Sequence, residues 1–417
     1  MKGHKKTTLL LALLLVCSCM GCANWQEPEN LSSHNALTPM ETTPIVDYVV
    51  PRQTANILVN RLGYQSDSRK EAAIKGKNLP ETFRVVRAED GQLVYNGTIE
   101  TITYNADMGI YTGVAVFDEL VEPGSYYVEC DIVGRSFDFL VADDLYAQLF
   151  GEVYQEALTK CENGTLSLSG AVALLSAYEW YADIFPDANG DQVPDVLTAL
   201  TQWMEKYEEG AEDTQQALRA AFFAKFSYLY QNYNRRYATS CLQRASTLFG
   251  QTQNTLQKDA DCFFALTELY RATGLRTYDS QIKEYRLFFE NNSSYPEERM
   301  YLYGMMTYLA TRQKVDADFC EILIKQVRGR GEEIAGRYEE IVHPITARNN
   351  GAEDVLQRTE ELLLSNYVMS SYQYYNIDKD FLNYLCGRNL ESVCFYQEEE
   401  SHEGYLLLLA QLTAENL

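Results

Sequence analysis

Histidine is nearly missing from this chain. Its four copies, His4, His34, His343 and His402, are scattered over 417 residues, which argues against a multi-histidine metal centre and leaves a Ser-His-Asp triad little to be built from. Basic residues are also in deficit: 35 Lys and Arg stand against 59 Asp and Glu, for a net charge of -24. That balance repels phosphates and excludes nucleic acid or an anionic membrane surface as the main partner, while neutral ligands such as sugars stay open. Of ten cysteines, the seven beyond residue 22 lack both the C-x-x-C spacing of zinc sites and the density of a disulfide scaffold. They read as small buried apolar residues, and their odd number leaves at least one unpaired. No fixed-period repeat of TPR or HEAT type recurs, which argues against a solenoid.

What is present begins with MKGHKKTTLLLALLLVCSCMGCA. Three lysines precede an apolar run from Leu9 to Val16 that is too short to span a bilayer, the layout of a secretory signal. Val16-Cys17-Ser18-Cys19 resembles the end of a bacterial lipoprotein signal, with Cys19, or else Cys22, as the acylated residue; a thiol-rich plain signal is the competing reading. The expectation is a signal over 1–22 and a protein displayed outside the cell, touching the membrane only through this anchor. A flexible Pro, Ser, Thr and Asn-rich linker follows over 23–54.

From 55 to 142 the chain changes to short alternating or β-branched runs, such as Phe83 to Val86, Tyr111 to Phe117 and Tyr126 to Val128. Turn signals separate them at Glu89-Asp90-Gly91, Asn96-Gly97 and Glu122-Pro123-Gly124-Ser125, and together they predict a small antiparallel β-sandwich. Over 143–417 helical spacing dominates. Apolar residues recur at i, i+3, i+4, i+7 in Ser169–Tyr181, Pro194–Tyr207, Thr214–Tyr230, Asp261–Thr273, Glu297–Thr311, Ala317–Val327 and Leu356–Tyr374, with Gly274, Gly329 and Gly387 as helix stops. Antiparallel helix pairs without intervening strands point to an α/α toroid or a helical bundle.

The stretch Phe381 to Leu412 puts a short helix, three successive carboxylates (Glu398, Glu399, Glu400) and a closing all-apolar helix side by side. The carboxylate cluster is an active-site loop or a solvated connection. Glu353 and Asp354, after Asn349-Asn350-Gly351, form the other acidic pair of interest, with a helix N-terminal charge pair as the alternative. Asp187, Asn189, Asp191 and Asp195 have a calcium-loop spacing, but Gln192 and Thr198 replace the loop glycine and closing glutamate. A calcium site and a simple helix-capping turn both remain open there. Most of the 31 tyrosines, together with Trp180 and Trp203, read as core, although aromatic faces also suit sugar stacking.

Ile57 to Ile74, ILVNRLGYQSDSRKEAAI, resembles the opening of the immunoglobulin-like domain that precedes the catalytic domain in cellulases of glycoside hydrolase family nine. Asp107-Met108-Gly109, Pro123 to Val128 and Gly134 to Phe137 fall at similar places. In the helical part, Asn189 to Leu197, Leu269-Tyr270-Arg271-Ala272-Thr273-Gly274 and Asn383-Tyr384-Leu385-Cys386-Gly387-Arg388-Asn389 are similar to motifs of the same family, with Cys386 where leucine is usual. The resemblance implies an immunoglobulin-like sandwich followed by an (α/α)6 barrel, and a β-glucan-like poly- or oligosaccharide as partner. Protein partners stay open.

Inverting hydrolysis takes one carboxylate to activate water and one carboxylic acid to protonate the leaving oxygen, ~6.5–9.5 Å apart, and requires no cofactor. The resemblance implies an Asp-Ala-Gly-Asp base motif just before the helix near Ser169. This chain instead reads Cys161-Glu162-Asn163-Gly164-Thr165-Leu166-Ser167-Leu168. The implied acid position falls on Tyr396, with Glu398 to Glu400 one small shift away. Each lost group removes roughly 10²–10⁴-fold in rate, so the expectation is a catalytically degenerate glycan-handling protein. An inverting β-glucanase with relocated carboxylates and a structural interaction protein are the alternatives.

Overall fold

The computed structural model describes residues 49–210, 215–252, 259–292, 295, 298–347, 351–369 and 374–416. The signal, Cys19, Cys22, His34, most of the linker, Asn349, Asn350 and Tyr372 lie outside the described residues.

Nine strands make up the first part of that region: β1 Ile57–Leu58, β2 Gly63–Gln65, β3 Glu71–Gly76, β4 Thr82–Arg87, β5 Leu93–Asn105, β6 Ile110–Val116, β7 Gly124–Cys130, β8 Gly134–Arg135 and β9 Phe139–Ala142. They hydrogen-bond in the order β1-β3-β6-β5-β4-β7-β9-β2, with β8 beside β7. The long β5 joins the two halves: its first part pairs with β4, its second with β6, and a register shift between Glu100 and Thr103 bends it. The core between the halves is aromatic, with Tyr64, Phe117 and Phe139 meeting edge to face or tilted at 5.4–5.6 Å.

Two expectations are corrected here. The sheet is not wholly antiparallel, because β2 returns parallel to β9. Asn96-Gly97 is no turn but lies inside β5, since a Cβ on Gly97 would press against the Phe83 ring at 2.6 Å; the glycine serves close packing.

The helices in chain order are α1 Leu145–Asn163, α2 Leu168–Trp180, α3 Asp195–Gly210, α4 Gln216–Tyr230, α5 Arg235–Thr252, α6 Ala260–Thr273, α7 Arg276–Lys283, α8 Arg286–Glu290, α9 Arg299–Ala310, α10 Ala317–Gly336, α11 Tyr338–Val342, α12 Ala352–Met369, α13 Tyr375–Leu385, α14 Phe395–Glu398 and α15 Leu406–Ala414. Burial sorts them into two layers. In α4, α9 and α15 most residues are buried, whereas α5 buries only Ala238, Cys241, Ala245, Leu248 and Phe249 along one stripe. The buried members close a ring through successive contacts: α2 with α4, then α6, α9, α12 and α15, and α15 back to α2. The amphipathic helices α1, α3, α5, α10 and α13 pack outside it. The second part of the chain is therefore the expected (α/α)6 barrel.

Gly274 ends α6 in the left-handed region (φ 69°), as its sequence position implied. Gly329 does not end a helix. Beyond it Arg330, Gly331 and Ile334 remain buried, with Arg330 Nε 2.7 Å from Glu361 on α12, and this packing carries α10 through both glycines to Gly336.

The ring is braced by charge. Glu179 of α2 takes hydrogen bonds from Lys225 of α4 and Arg271 of α6, while Glu268 accepts from Arg271 at 2.5 Å and from Thr307 of α9 at 2.8 Å. Burial alone would raise the Glu179 carboxyl, but the two cations hold it down at about 2. Sandwich and barrel meet at the turn after α13. Arg61 donates its backbone N–H to the Cys386 carbonyl at 2.8 Å, Asn60 its side-chain amide to Asn383 at 3.0 Å, and Arg388 pairs with Glu71 of β3.

Candidate functional site

A cleft of about 440 Å³ opens at one end of the barrel, lined by Ser169, Gly170, Ala173, Arg299, Glu353, Leu356, Glu399, Ser401, Glu403 and Gly404. These residues stand in the first two turns of α2 and α12, at the start of α9 and in the segment leading to α15. Inner helices thus bring their N-termini, where unpaired N–H groups favour negative charge, to one mouth.

Three carboxylates gather there. Glu353, the second residue of α12, was a sequence candidate, and so was Glu399, which follows α14. Burial raises the Glu399 carboxyl above the usual glutamate range; nearby His402 opposes the shift and Glu353 adds to it. The remaining candidates point elsewhere. Glu398 and Glu400 are exposed and outside the cleft lining, and Asp354 is held by Arg358 one turn on, at 3.1 Å, as a helix-end charge pair.

Glu403 is the residue that sequence reading missed. Its carboxylate accepts the Ser167 hydroxyl, lies 3.4 Å from Lys160 Nζ, and covers Gly170, where any Cβ would collide with it. Ser167 in turn caps α2 by accepting from the Gly170 N–H at 2.9 Å. The connection between α1 and α2 is only Gly164 to Ser167, so the place where the resemblance puts the paired aspartates is closed onto Glu403.

The loop carrying these groups is fixed by His402. Its backbone N–H and Nδ1 both face Glu156 of α1, at 3.2 and 2.5 Å, and Nε2 is 2.7 Å from the Tyr396 carbonyl. Tyr396 itself is buried and donates its hydroxyl to Glu152 at 3.3 Å. In the cleft wall, Arg299 bonds Glu360 at 2.7 Å, and Glu360 also accepts the Tyr303 hydroxyl. Among the described residues no aromatic ring lines the cleft itself, whereas Trp203, Tyr301 and Tyr303 are core. Trp180 is only partly buried, stacked on Tyr303 at 5.7 Å.

The acidic loop at Asp187 is tied to its own backbone. Asp187 accepts from the N–H groups of Gly190 and Gln192, Asn189 from Asp191, Asp191 from Val193, and Asp195 from Ala188. Among the described residues no group of three or more Asp, Glu, His or Cys is arranged to hold a metal ion. No helix among them is long and apolar enough to cross a membrane.

Residues 52–135 match a family model described as the cellulase N-terminal ig-like domain. Endoglucanase D of Acetivibrio thermocellus is 33% identical over 96 residues, which is 23% of this chain and 15% of the length of that curated relative. Among solved structures, a metagenome-derived glycoside hydrolase family 9 endoglucanase superposes with a TM-score of 0.67 at 17% identity, over 81% of this chain and 84% of the other. AaCel9A in complex with cellobiose-like isofagomine gives 0.63 at 15% identity, over 82% and 84%. At these identities the structural likeness shows a shared fold. The chain therefore carries a cellulase-type immunoglobulin-like domain followed by a helical domain with the fold of family nine endoglucanases.

Proposed function

We propose that this protein captures a β-glucan-like poly- or oligosaccharide at the barrel mouth without efficient hydrolysis of its own, and that a lipid on Cys19 or Cys22 displays it outside the cell. One observation carries the reading. Where the family resemblance places a water-activating aspartate pair, the chain has a four-residue connection whose Ser167 binds Glu403, with Lys160 beside it. The connection Gly164 to Ser167 holds no carboxylate of its own, and the Glu403 carboxylate that reaches it is engaged as a structural tie by a hydroxyl and a cation. The ligand class is supported by the shared fold with AaCel9A, whose structure holds cellobiose-like isofagomine. The acidic surface, which disfavours anionic partners, is consistent with a neutral glycan.

A second reading, an inverting hydrolase with relocated carboxylates, is favoured by Glu399 and Glu353. A glutamate raised above its usual range beside an exposed one is the pattern of a general acid and its base. The Val50–Leu417 unit, run through β-glucan affinity gels and assayed for released reducing ends, separates the two. Retardation without reducing ends supports the capture reading. Reducing ends that vanish in Glu399→Gln or Glu353→Gln overturn it for the hydrolase, and neither retardation nor turnover removes the glycan from both.

A further inference from the structure

Seven cysteines fall among the described residues, and five of them, Cys130, Cys161, Cys241, Cys262 and Cys320, lie one to an element on β7, α1, α5, α6 and α10. The other two meet. Cys386, which ends α13, and Cys394, which precedes α14, are joined by an isolated antiparallel bridge, and both are fully buried. Residues opposed in such a bridge have Cα atoms ~4.5–5.5 Å apart, inside the ~4.4–6.8 Å span that a disulfide requires. We propose that Cys386 and Cys394 are a disulfide-forming pair whose oxidation cross-links the loop that clamps the barrel to the sandwich.

The loop between them does the clamping. Lys75 of β3 donates to the Leu390 carbonyl, Arg61 reaches the Ser392 carbonyl at 3.4 Å, and Arg388 joins Glu71 to Asp380. Leu390 also packs beside Leu58, Ala73 and Ile345. Cys394 leads directly into α14 and the acidic segment of the cleft. The cross-link would therefore fix both the interdomain contact and one wall of the candidate site.

The two sulfurs are not equivalent. The hydrogen bond from Cys386 lowers the Cys394 thiol, whereas burial raises Cys386. In the closed loop Cys394 is therefore the more readily ionised thiol. Before closure neither burial nor that hydrogen bond acts, and either sulfur can attack first, Cys394 for instance after losing its proton to water. Its thiolate displaces one thiolate from a small-molecule or protein disulfide, giving a mixed disulfide at Cys394. Cys386 then passes its proton to the released thiolate and attacks the Cys394 sulfur, expelling the second thiolate. Two electrons leave the pair, and the oxidant ends as two thiols. Because both sulfurs are buried in the folded chain, the oxidant meets them before the loop closes.

The full chain, unfolded and refolded in oxidised and reduced glutathione, is alkylated and cut with trypsin. Arg388 lies between the two cysteines and no Lys or Arg follows it, so cleavage yields Asp380–Arg388 and Asn389–Leu417. These peptides are expected joined, to separate on reduction, and the oxidised protein is expected to lose roughly 3–5 °C of melting midpoint in reductant. A Cys386→Ala chain should show neither effect. The peptides recovered separately and alkylated from protein with its native helical signal, or either cysteine joined to a different one, would overturn the proposal whatever the variant does.

Discussion

Ser167 donates its hydroxyl to Glu403, 236 positions further along the chain, while accepting the Gly170 N–H at 2.9 Å. One small side chain thus caps an inner helix and ties it to the segment that opens the last one. The contact also occupies a carboxylate at the cleft mouth, so stability and the chemistry of the site meet in the same hydrogen bonds.

Ser167→Ala removes the cap and frees Glu403 from its hydroxyl donor. A loss of about 1 kcal/mol of unfolding free energy is expected from the cap alone. Urea melts of the two chains measure it, and an unchanged midpoint would mean that Ser167 is dispensable.

Lys225→Met should cost more. Lys225 is buried between Glu179 and Glu268, with its Nζ 5.5 Å from the Trp180 ring centre. Removing it leaves the buried Glu268 and the partly buried Glu179 sharing Arg271, and breaking such a pair typically costs ~3–5 kcal/mol. The pH dependence has a definite sign. The Glu179 carboxyl is depressed from 4.5 to about 2, so its contribution is complete above about pH 4.5 and is lost as pH falls toward 2. Acid melts of the parent chain should be steep in that window, and those of Lys225→Met shallower.

Asp261→Asn is expected to stabilise. Burial, followed by the nearby Asp259 and Glu298, raises the Asp261 carboxyl from 3.8 to about 6. A raised acid binds its proton more tightly when folded, so stability falls as pH rises from about 4 through 6. At pH 7.5 the amide should gain about 1 kcal/mol after allowance for solvent screening; at pH 4 the two chains should melt together.

Arg388 and Glu71 link barrel to sandwich. A double-mutant cycle with Arg388→Ala and Glu71→Ala should give a coupling of ~1–3 kcal/mol. Strict additivity would show that the pair contributes nothing.

The barrel was legible in the sequence because its inner helices must be apolar nearly all round. Leu406 to Leu412 could hardly face solvent, and Leu269 to Gly274 carries both its apolar face and its stop. Glycine was the ambiguous letter. Gly97 and Gly329 read as breaks, yet the first makes room for Phe83 and the second sits inside a helix whose next residue, Arg330, is buried against Glu361. Glu353 and Glu399 could be named separately, but their sharing of one cleft depends on ring closure, which no local pattern encodes. Glu403 was hidden for the same reason: its partners Lys160 and Ser167 lie at the other end of the helical domain in sequence.

The central claim is capture without cutting. Its most direct test is the rate of reducing-end release from β-glucan by the Val50–Leu417 unit, measured beside Glu399→Gln and Glu353→Gln. The account predicts no release above the enzyme-free rate in any of the three, with retardation in the β-glucan gel. Sustained release by the parent chain, lost in either variant, would contradict it.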